Sequence, residues 1–300
     1  MKKKTYLFAL MAMALTLGSC SDNENGIGGE TSKYITVSTS IGNMTRVATD
    51  ANGGQTFEEG DEISVYAWTG DATVAPETRE RVVNNAINKL TNGSWVSTPQ
   101  MLWKNNRDKH YFIGVYPTAA ISDLSAGEYT FDETKQVESD LLVAVNPDGL
   151  SYSADAQQTV PLTFTHVMAK LAVNLTYKNQ WGGIPTVEKV VVGNAAKEAT
   201  INYLTKVVTP STTAKEDFSL PEITENTKYV SVIIPQEEVT QLSIVIGGKN
   251  FVYDNGTPFK LESGKITTVN LEVGRDEIKL GDVKITNWED GSTFSGEALN

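Results

Sequence analysis

The sequence contains one cysteine, Cys20, and two histidines, His110 and His166. A single cysteine excludes an intramolecular disulfide and a zinc site built from several thiolates. The fold must therefore rest on hydrophobic packing, and 40% hydrophobic residues in a chain of 300 are enough for cores of ordinary size. We expect each histidine to be a strand residue with a hydrogen-bonded ring. We expect neither a metal nor a cofactor.

Motifs of common catalytic sites are also missing. No Gly-x-Ser-x-Gly elbow, P-loop, dinucleotide fingerprint or EF-hand loop occurs. Neighbouring carboxylates could hydrolyse a glycosidic bond if they were held at the right separation. Such groups stand beside predicted turns, which is typical of a solvated surface: Glu58-Glu59-Asp61, Glu216-Asp217 and Glu289-Asp290. We predict that the protein is not an enzyme, and a glycosidase is the least favoured hypothesis.

The balance of charge is acidic, with 25 basic against 37 acidic residues and a formal net charge of −12. Residues 1–19 contain three lysines and no acid, so their removal would leave 22 basic and 37 acidic residues and a charge of −15. An acidic surface repels phosphate backbones and anionic headgroups. Nucleic acid is therefore not an expected partner.

The N-terminal residues have the pattern of an export signal. Lys2 to Lys4 precede the apolar segment Tyr6 to Leu17, which is too short to span a bilayer as a mature helix. The sequence Leu17-Gly18-Ser19-Cys20 then resembles the lipobox of bacterial lipoproteins. The resemblance implies that residues 1–19 are a lipoprotein signal peptide, that Cys20 carries acyl chains such as palmitate, and that the precursor is anchored in the outer membrane. Plain secretion with a chance cysteine is the alternative.

A polar, glycine-rich tether over residues 20–33 leads into a segment that alternates between apolar and polar residues, Tyr34 to Ile41. One face carries three apolar residues and a threonine: Ile35, Val37, Thr39 and Ile41. A period of two with β-branched residues predicts a half-buried strand. The polar loop after it contains Arg46.

The rest of the chain has many short strand-like segments separated by turn signals, and no convincing long helix. This pattern predicts an all-β fold with two tandem β-sandwich domains. We place the domains at residues 34–158 and 159–276, with a C-terminal extension at residues 277–300, because residues 151–158 are polar and lack large aliphatic side chains. For Val82 to Leu90 a strand or irregular structure is favoured over a helix because asparagines interrupt the helical face.

Two turns are predicted from composition alone. Asn146-Pro147-Asp148-Gly149 would end the apolar run Leu141 to Val145. Asn255-Gly256 would join the strands Asn250 to Asp254 and Thr257 to Leu261 as a hairpin.

Seven motifs follow one another along the chain: Phe57 to Tyr66 with its glycine-aspartate turn, Tyr111 to Pro117, Asp140 to Ala144, Phe164 to Leu175, Ile234 to Gln236, Gly264 to Val273 and Gly281 to Gly291. In this order they resemble the fimbrillin family, the lipoprotein subunits of type V pili. The likeness covers nearly the whole chain after the predicted signal.

The resemblance implies two transthyretin-like β-sandwich domains that polymerise by donor-strand exchange. In this exchange an arginine-directed protease removes the first strand with its lipid, and the C-terminal strand of a neighbouring subunit fills the opened groove. The roles would be processing at Arg46 and Val47, groove filling by Ile35, Val37 and Ile41, and donation by Val283, Ile285 and Trp288. Expected partners are identical or related pilus subunits, the outer membrane, the protease, and a host glycan or protein ligand. The expected function is a cell-surface fimbrium that supports adhesion.

Alternatives remain at each step. Ile278 to Trp288 could be the last strand of its own domain, although it follows a complete strand and the polar break Gly274 to Glu277. Arg46 could be an ordinary loop residue. A monomeric, lipid-anchored glycan-binding adhesin is the alternative function, because Trp95 and Trp181 follow loop residues and could offer exposed rings to a sugar.

Overall fold

The computed structural model describes residues 33–42, 56–153 and 158–288. Cys20, the pair Arg46 and Val47, and the acidic pair Glu289 and Asp290 lie outside these residues. The described chain forms nineteen strands and two short 3-10 helices, Thr78–Glu80 and Asn179–Trp181. Within it, no helix has the length and apolar character needed to cross a membrane. The prediction of an all-β fold is confirmed.

The strands, numbered in chain order, are β1 Thr36–Ile41, β2 Glu62–Thr69, β3 Val83–Thr91, β4 Ser94–Thr98, β5 His110–Tyr116, β6 Gly127–Thr130, β7 Leu142–Leu150, β8 Thr159–His166, β9 Ala169–Tyr177, β10 Val187–Ala196, β11 Glu198–Asn202, β12 Val207–Pro210, β13 Lys215–Ser219, β14 Glu222–Thr224, β15 Lys228–Ile233, β16 Gln236–Ile246, β17 Lys249–Leu261, β18 Lys265–Val273 and β19 Ile278–Asn287.

The largest sheet contains seven strands in the order β1-β8-β7-β5-β2-β3-β4. All neighbours are antiparallel except β1 and β8, which run parallel. The interior strand β2 is buried on both faces, since Val65 and Ala67 enter one core while Tyr66 and Trp68 enter the other. A strand covered on both sides is apolar at nearly every position, and the sequence Ile63 to Trp68 has this character.

Three further sheets complete the fold. A five-stranded sheet has the order β14-β15-β9-β18-β19, a four-stranded sheet has the order β13-β10-β16-β17, and a three-stranded sheet has the order β12-β11-β6. The only parallel pair in these sheets, among the described residues, is β9 with β18. The C-terminal strand β19 therefore lies at an edge, next to β18.

Two hydrophobic cores stabilise the described chain. The large core joins the five- and four-stranded sheets and reaches one face of the seven-stranded sheet. The small core covers the opposite face of the seven-stranded sheet: Ile35, Val37, Ile63, Val65, Ala67, Val83, Ala86, Met101, Trp103, Phe112, Leu142, Ala144, Val160, Leu162 and Phe164. Val37 of β1 and Ile35, the residue just before β1, supply two of these side chains.

The sheet membership of β8 differs from the predicted division at residue 158. The sequence analysis assigns Thr159 to His166 to the second domain, but this strand pairs with β1 and β7 in the seven-stranded sheet. The change to the next sheet comes after His166, where β9 begins at Ala169. The polar segment before Thr159 is therefore a connection within one sheet, and the division into two domains stays a prediction.

Both composition-based turns are wrong, whereas the strand prediction for Val82 to Leu90 is confirmed by β3. Strand β7 continues through Asn146-Pro147-Asp148-Gly149 with a register shift against β5, and the side chain of Asn146 accepts the amide of Gly149 at 2.9 Å. Strand β17 likewise runs through Asn255-Gly256 with register shifts against β16. A turn-forming sequence inside a long strand is accommodated as a bulge.

Candidate functional site

The first strand fills a groove in the seven-stranded sheet. Ile35 and Val37 are 3% and 6% exposed and belong to the small core, while Ile41 is half-buried against it. Across the parallel ladder, Val37 stands beside Val160, Thr39 beside Leu162 and Ile41 beside Phe164, and these three β8 residues belong to the same core. Burial of an aliphatic side chain of this size contributes about 1.5–3 kcal/mol. The apolar side chains predicted to share one face of this segment therefore do face the small core.

The outer face of β1 is polar and is matched by hydroxyl groups on β8. The hydroxyls of Thr36 and Thr159 lie 3.2 Å apart, and Ser40 Oγ donates to Thr163 Oγ1 at 3.2 Å. These hydrogen bonds are exposed and contribute little energy each. They fix which residue of β1 stands beside which residue of β8.

Strand β1 also meets the opposite end of the same sheet. Just before β1, the amide of Ile35 donates to Met101 O at 2.9 Å and the amide of Trp103 donates to Lys33 O at 3.2 Å. Tyr34 and Leu102 form an antiparallel bridge. Because residues 101–103 follow the edge strand β4, β1 connects the two edges of the sheet and closes it over the small core.

A second, open groove of about 660 Å³ runs beside β1, away from the contacts with residues 101–103. An aromatic cluster forms its wall: Phe57 packs edge-on against Trp95, Tyr116 and Phe164 at centroid distances of 5.3, 5.3 and 5.1 Å. Burial, together with the carboxylate of Asp61, raises the pKa of Tyr116 to about 12. Of this cluster, Phe57 and Trp95 line the open groove itself, together with the hydroxyl side chains of β1.

One polar side chain in this wall points at β1. Trp95 Nε1 donates a hydrogen bond of 3.0 Å to Thr39 Oγ1, and Trp95 is half-buried. The hairpin of β3 and β4 places Trp95 opposite Leu90, and its turn residues Asn92 and Gly93 have φ of 51° and 73°. Two left-handed residues in a two-residue turn are the favoured hairpin geometry, and Asn-Gly is the sequence that forms it.

The C-terminal strand β19 is held much less tightly than β1. It pairs along its length with β18, but Val283 and Ile285 are 36% and 37% exposed. Ile278 and Leu280 pack at the margin of the large core. The structure thus places Val283 and Ile285 on an edge strand of their own sheet, with their side chains a little more than a third exposed.

A bulge divides β19 at Gly281. Leu271 of β18 pairs with Leu280 and Asn270 pairs with Asp282, so Gly281 has no opposite residue. The extra residue lets Leu280 and Val283, an odd number of positions apart, share the face of β18 that is buried. A Cβ at Gly281 would lie 3.2 Å from Asn270 O, so a glycine suits this close approach.

The chain after β19 is fixed by Trp288. Its amide donates to Gly264 O at 3.1 Å, and the residue is 5% exposed. Its ring is stacked on His166, with centroids 4.1 Å apart and an interplanar angle of 5°, and Lys170 Nζ lies 4.2 Å from the ring centroid. The predicted donor residue Trp288 is therefore a buried anchor, unlike Val283 and Ile285.

Both histidines are hydrogen-bonded strand residues, as predicted. His110 donates from Nδ1 to Asp108 O at 3.1 Å and accepts the Lys104 amide at Nε2 at 3.0 Å. This arrangement requires the neutral ring, and burial lowers the pKa of His110. His166 Nδ1 lies 2.8 Å from Asp140 Oδ1.

Carboxylates of the acidic clusters that the structure describes accept hydrogen bonds from backbone amides. Asp61 accepts the amide of Glu58 at 2.7 Å, Glu59 accepts the amide of Asn92 at 2.9 Å, and Asp217 accepts the amide of Asn194 at 2.8 Å. Among the residues that the structure describes, no group of His, Cys, Asp and Glu could hold a metal ion. These contacts explain why carboxylates occur at these turns.

The two loop tryptophans are built into the fold rather than presented to solvent. Trp95 donates to Thr39 as described, and Trp181 Nε1 donates to Val273 O at 3.0 Å. Trp181 also packs on Phe251, and the guanidinium carbon of Arg275 lies 5.8 Å from the centroid of the Trp181 ring. The geometry of these two side chains does not favour the glycan-binding alternative.

The comparisons with known proteins agree with this architecture. A family model described as fimbrillin-like matches residues 45–288. The chain belongs to the fimbrillin-like family. A relative from Bacteroides uniformis, provisionally named fimbrium subunit Fim1C, is 24% identical over 315 residues, which is 97% of both chains. The fimbrillin-like family consists of structural fimbrial subunits and is not a family of enzymes.

Solved structures show the same fold at low sequence identity. A crystal structure from Bacteroides ovatus, provisionally named as a cell adhesion protein, aligns with a TM-score of 0.65 and 17% identity over 86% of this fimbrillin-like chain and 98% of its own. A similarly named protein from Bacteroides uniformis aligns with a TM-score of 0.63 and 18% identity over 85% of this chain and 98% of its own. The recognition of the family from sequence motifs is confirmed.

The sequence analysis missed two features of the groove. It did not identify Trp95 as a partner of β1, although Asn92-Gly93 between alternating segments signals a hairpin that would position this residue. It also missed the contact of β1 with residues 101–103, which no local pattern encodes.

Proposed function

We propose that this chain is a structural subunit of a surface fimbrium that is exported as a lipoprotein and assembled by donor-strand exchange. Cys20 carries the lipid, cleavage between Arg46 and Val47 frees β1, and β19 of a neighbouring copy takes the place of β1. Ile35, Val37 and Ile41 are the groove plug, and Val283 and Ile285 are the donor side chains. The observation that carries the proposal is that β1 fills the groove and closes the seven-stranded sheet.

Loss of β1 has a large physical consequence in this fold. It uncovers the apolar positions of Ile35 and Val37 and leaves an unpaired edge on β8. Open apolar edges bind strands, because main-chain hydrogen bonds supply affinity and alternate side chains supply register. The edge strand β19 supports the donor role, since its apolar side chains Val283 and Ile285 are only partly buried within their own subunit.

Trp288 has a different role in this proposal from the one predicted. A tryptophan that is 5% exposed against His166 and Lys170 holds the end of β19 on its own subunit. The donor strand must break this contact before it can reach a neighbour. Trp288 therefore opposes premature polymerisation.

The test is treatment of the purified precursor with an arginine-specific protease, followed by electrophoresis in SDS without heating. We expect cleavage after Arg46 and a ladder of SDS-resistant oligomers. The Arg46→Lys variant keeps the charge but is not a substrate, so it should stay monomeric. A second control lacks residues 278–300 and should be cleaved without forming a ladder. A cleaved wild-type protein that stays monomeric would show that the proposal is wrong.

A further inference from the structure

We propose that Trp95 and Asn287 set the register of the incoming strand: Trp95 of the accepting copy donates to Asn287 of the donor, whose Val283 and Ile285 replace Ile35 and Val37. This inference rests on the donor-strand exchange proposed above and adds the residues that fix its alignment. The occupant of the groove is thus a second copy of this chain.

The groove demands a particular order of side chains. Ile35 and Val37 fill apolar positions that are almost completely covered, and Thr39 offers an oxygen to the Trp95 indole at 3.0 Å. Any strand that replaces β1 must therefore present apolar, apolar and acceptor residues at alternate positions. If the third residue offered no acceptor, the partly buried N–H of Trp95 would be left unpaired, which is unfavourable.

One series in the C-terminal strand beyond its bulge satisfies this demand. Val283, Ile285 and Asn287 alternate, are exposed on β19, and end in a neutral side-chain oxygen. In the residues 281–288, no series read in the opposite direction gives acceptor, apolar and apolar. The donor is therefore assigned the same direction as β1, parallel to β8.

An earlier series, Ile278, Leu280 and Asp282, has the same order but suits the groove less well. It would place the carboxylate of Asp282, rather than a neutral amide, beside the partly buried indole, whereas both registers place a charged residue, Lys284 or Glu289, at the position of Ile41. Ile278 and Leu280 also pack at the margin of the large core of their own subunit. Transfer of these two residues to a neighbouring copy would therefore break contacts in their own subunit.

The proposed register makes a prediction that disulfide formation can test. Thr36 stands beside Thr159 and Ser40 stands beside Thr163 in the β1 ladder. With Val283 at the position of Ile35, donor residue Lys284 takes the position of Thr36 and lies beside Thr159 of the accepting copy. Neighbouring positions on one face of a sheet are close enough for a disulfide.

The first experiment uses the full chain with Cys20→Ser, so that introduced cysteines are the only thiols. Lys284→Cys is combined with Thr159→Cys in one variant and with Thr163→Cys in the matched control. After cleavage and oxidation, we expect covalent ladders only for the Thr159 pair. A reducing agent should dissolve these ladders. Ladders that form non-covalently but crosslink through Thr163, or through neither position, would overturn the register while leaving strand exchange intact. Absence of any ladder would instead count against strand exchange itself.

The second experiment tests the contact between Trp95 and Asn287 by a double-mutant cycle. Asn287→Leu should slow ladder formation about five- to tenfold, because it leaves the Trp95 N–H without a partner. In the Trp95→Phe background the same change should alter the rate less than about twofold. Asn287 is exposed on β19, so the monomer melting temperature should not move and serves as the folding control. An equal slowing by Asn287→Leu in both backgrounds would overturn the Trp95–Asn287 contact.

Discussion

The two terminal strands of the described chain differ in how they are held. Strand β1 buries Ile35 and Val37, hydrogen-bonds in parallel to β8, and also touches the far edge of its sheet. Strand β19 lies on an edge, leaves Val283 and Ile285 more than a third exposed, and depends on Trp288 at its end. One strand buries its side chains in a core, whereas the other pairs along its length with β18, is partly exposed, and is anchored at its C-terminal end by Trp288. An apolar alternation in the sequence does not distinguish these two situations.

The largest expected contrast comes from placing a carboxylate on one valine of each terminal strand. Val37→Asp should lower the free energy of unfolding by about 4 kcal/mol, because the carboxylate would be buried without a partner. Val283→Asp should lower it by less than about 1 kcal/mol, since that side chain already meets solvent. Urea denaturation of the uncleaved precursor measures both values. Equal losses would mean that the two strands are held alike.

A smaller effect is expected at the anchor of β19. Trp288→Ala should cost about 3 kcal/mol locally, because the stack on His166 and the contact with Lys170 are lost. Amide hydrogen exchange should accelerate in β19 and stay unchanged in β1 and β8. Ile285→Ala is the control and should cost less than about 1 kcal/mol. If exchange in β19 is not accelerated in the Trp288 variant, its end contact does not hold the strand.

The smallest effect is a dependence on pH near the beginning of β1. The pKa of His110 is lowered from its ordinary value of 6.5, so the neutral ring stabilises the folded state. Its contribution is complete above pH 6.5 and is lost as the pH falls below 6.5 towards the folded-state pKa. Urea unfolding between pH 7 and pH 5 should show this loss, and His110→Phe should reduce it. An unchanged pH dependence in that variant would assign the titration elsewhere.

Much of the fold could be predicted from local patterns. The alternation of Ile35, Val37 and Ile41 encodes a strand with one buried face, and seven ordered motifs identify the family. The pairing of β1 with β8 could not be predicted, since it joins residues more than a hundred positions apart. The assignment of β8 to the same sheet rests also on its antiparallel pairing with β7, which the polar segment between these two strands obscured in the sequence.

Asn-Gly dipeptides show why turn chemistry alone is insufficient. Asn92-Gly93 forms the tight turn between β3 and β4, whereas Asn255-Gly256 lies within the strand β17. The hairpin of β16 and β17 instead turns at Gly247 and Gly248, which have φ of 58° and 71°. Both dipeptides favour a left-handed turn, and the pairing of the flanking residues decides where the chain reverses.

Gly281 gives the C-terminal strand two phases of alternation. Ile278 and Leu280 are at even positions and Val283 and Ile285 are at odd positions, and the bulge alone brings all four to one face. If β19 were straight, the two pairs would face opposite sides, so a flat partner could receive only one of them. The segment therefore consists of two independent half-strands joined at a glycine. Both halves face the same side of their own sheet only because of the bulge, so a partner that binds the second half alone needs no bulge.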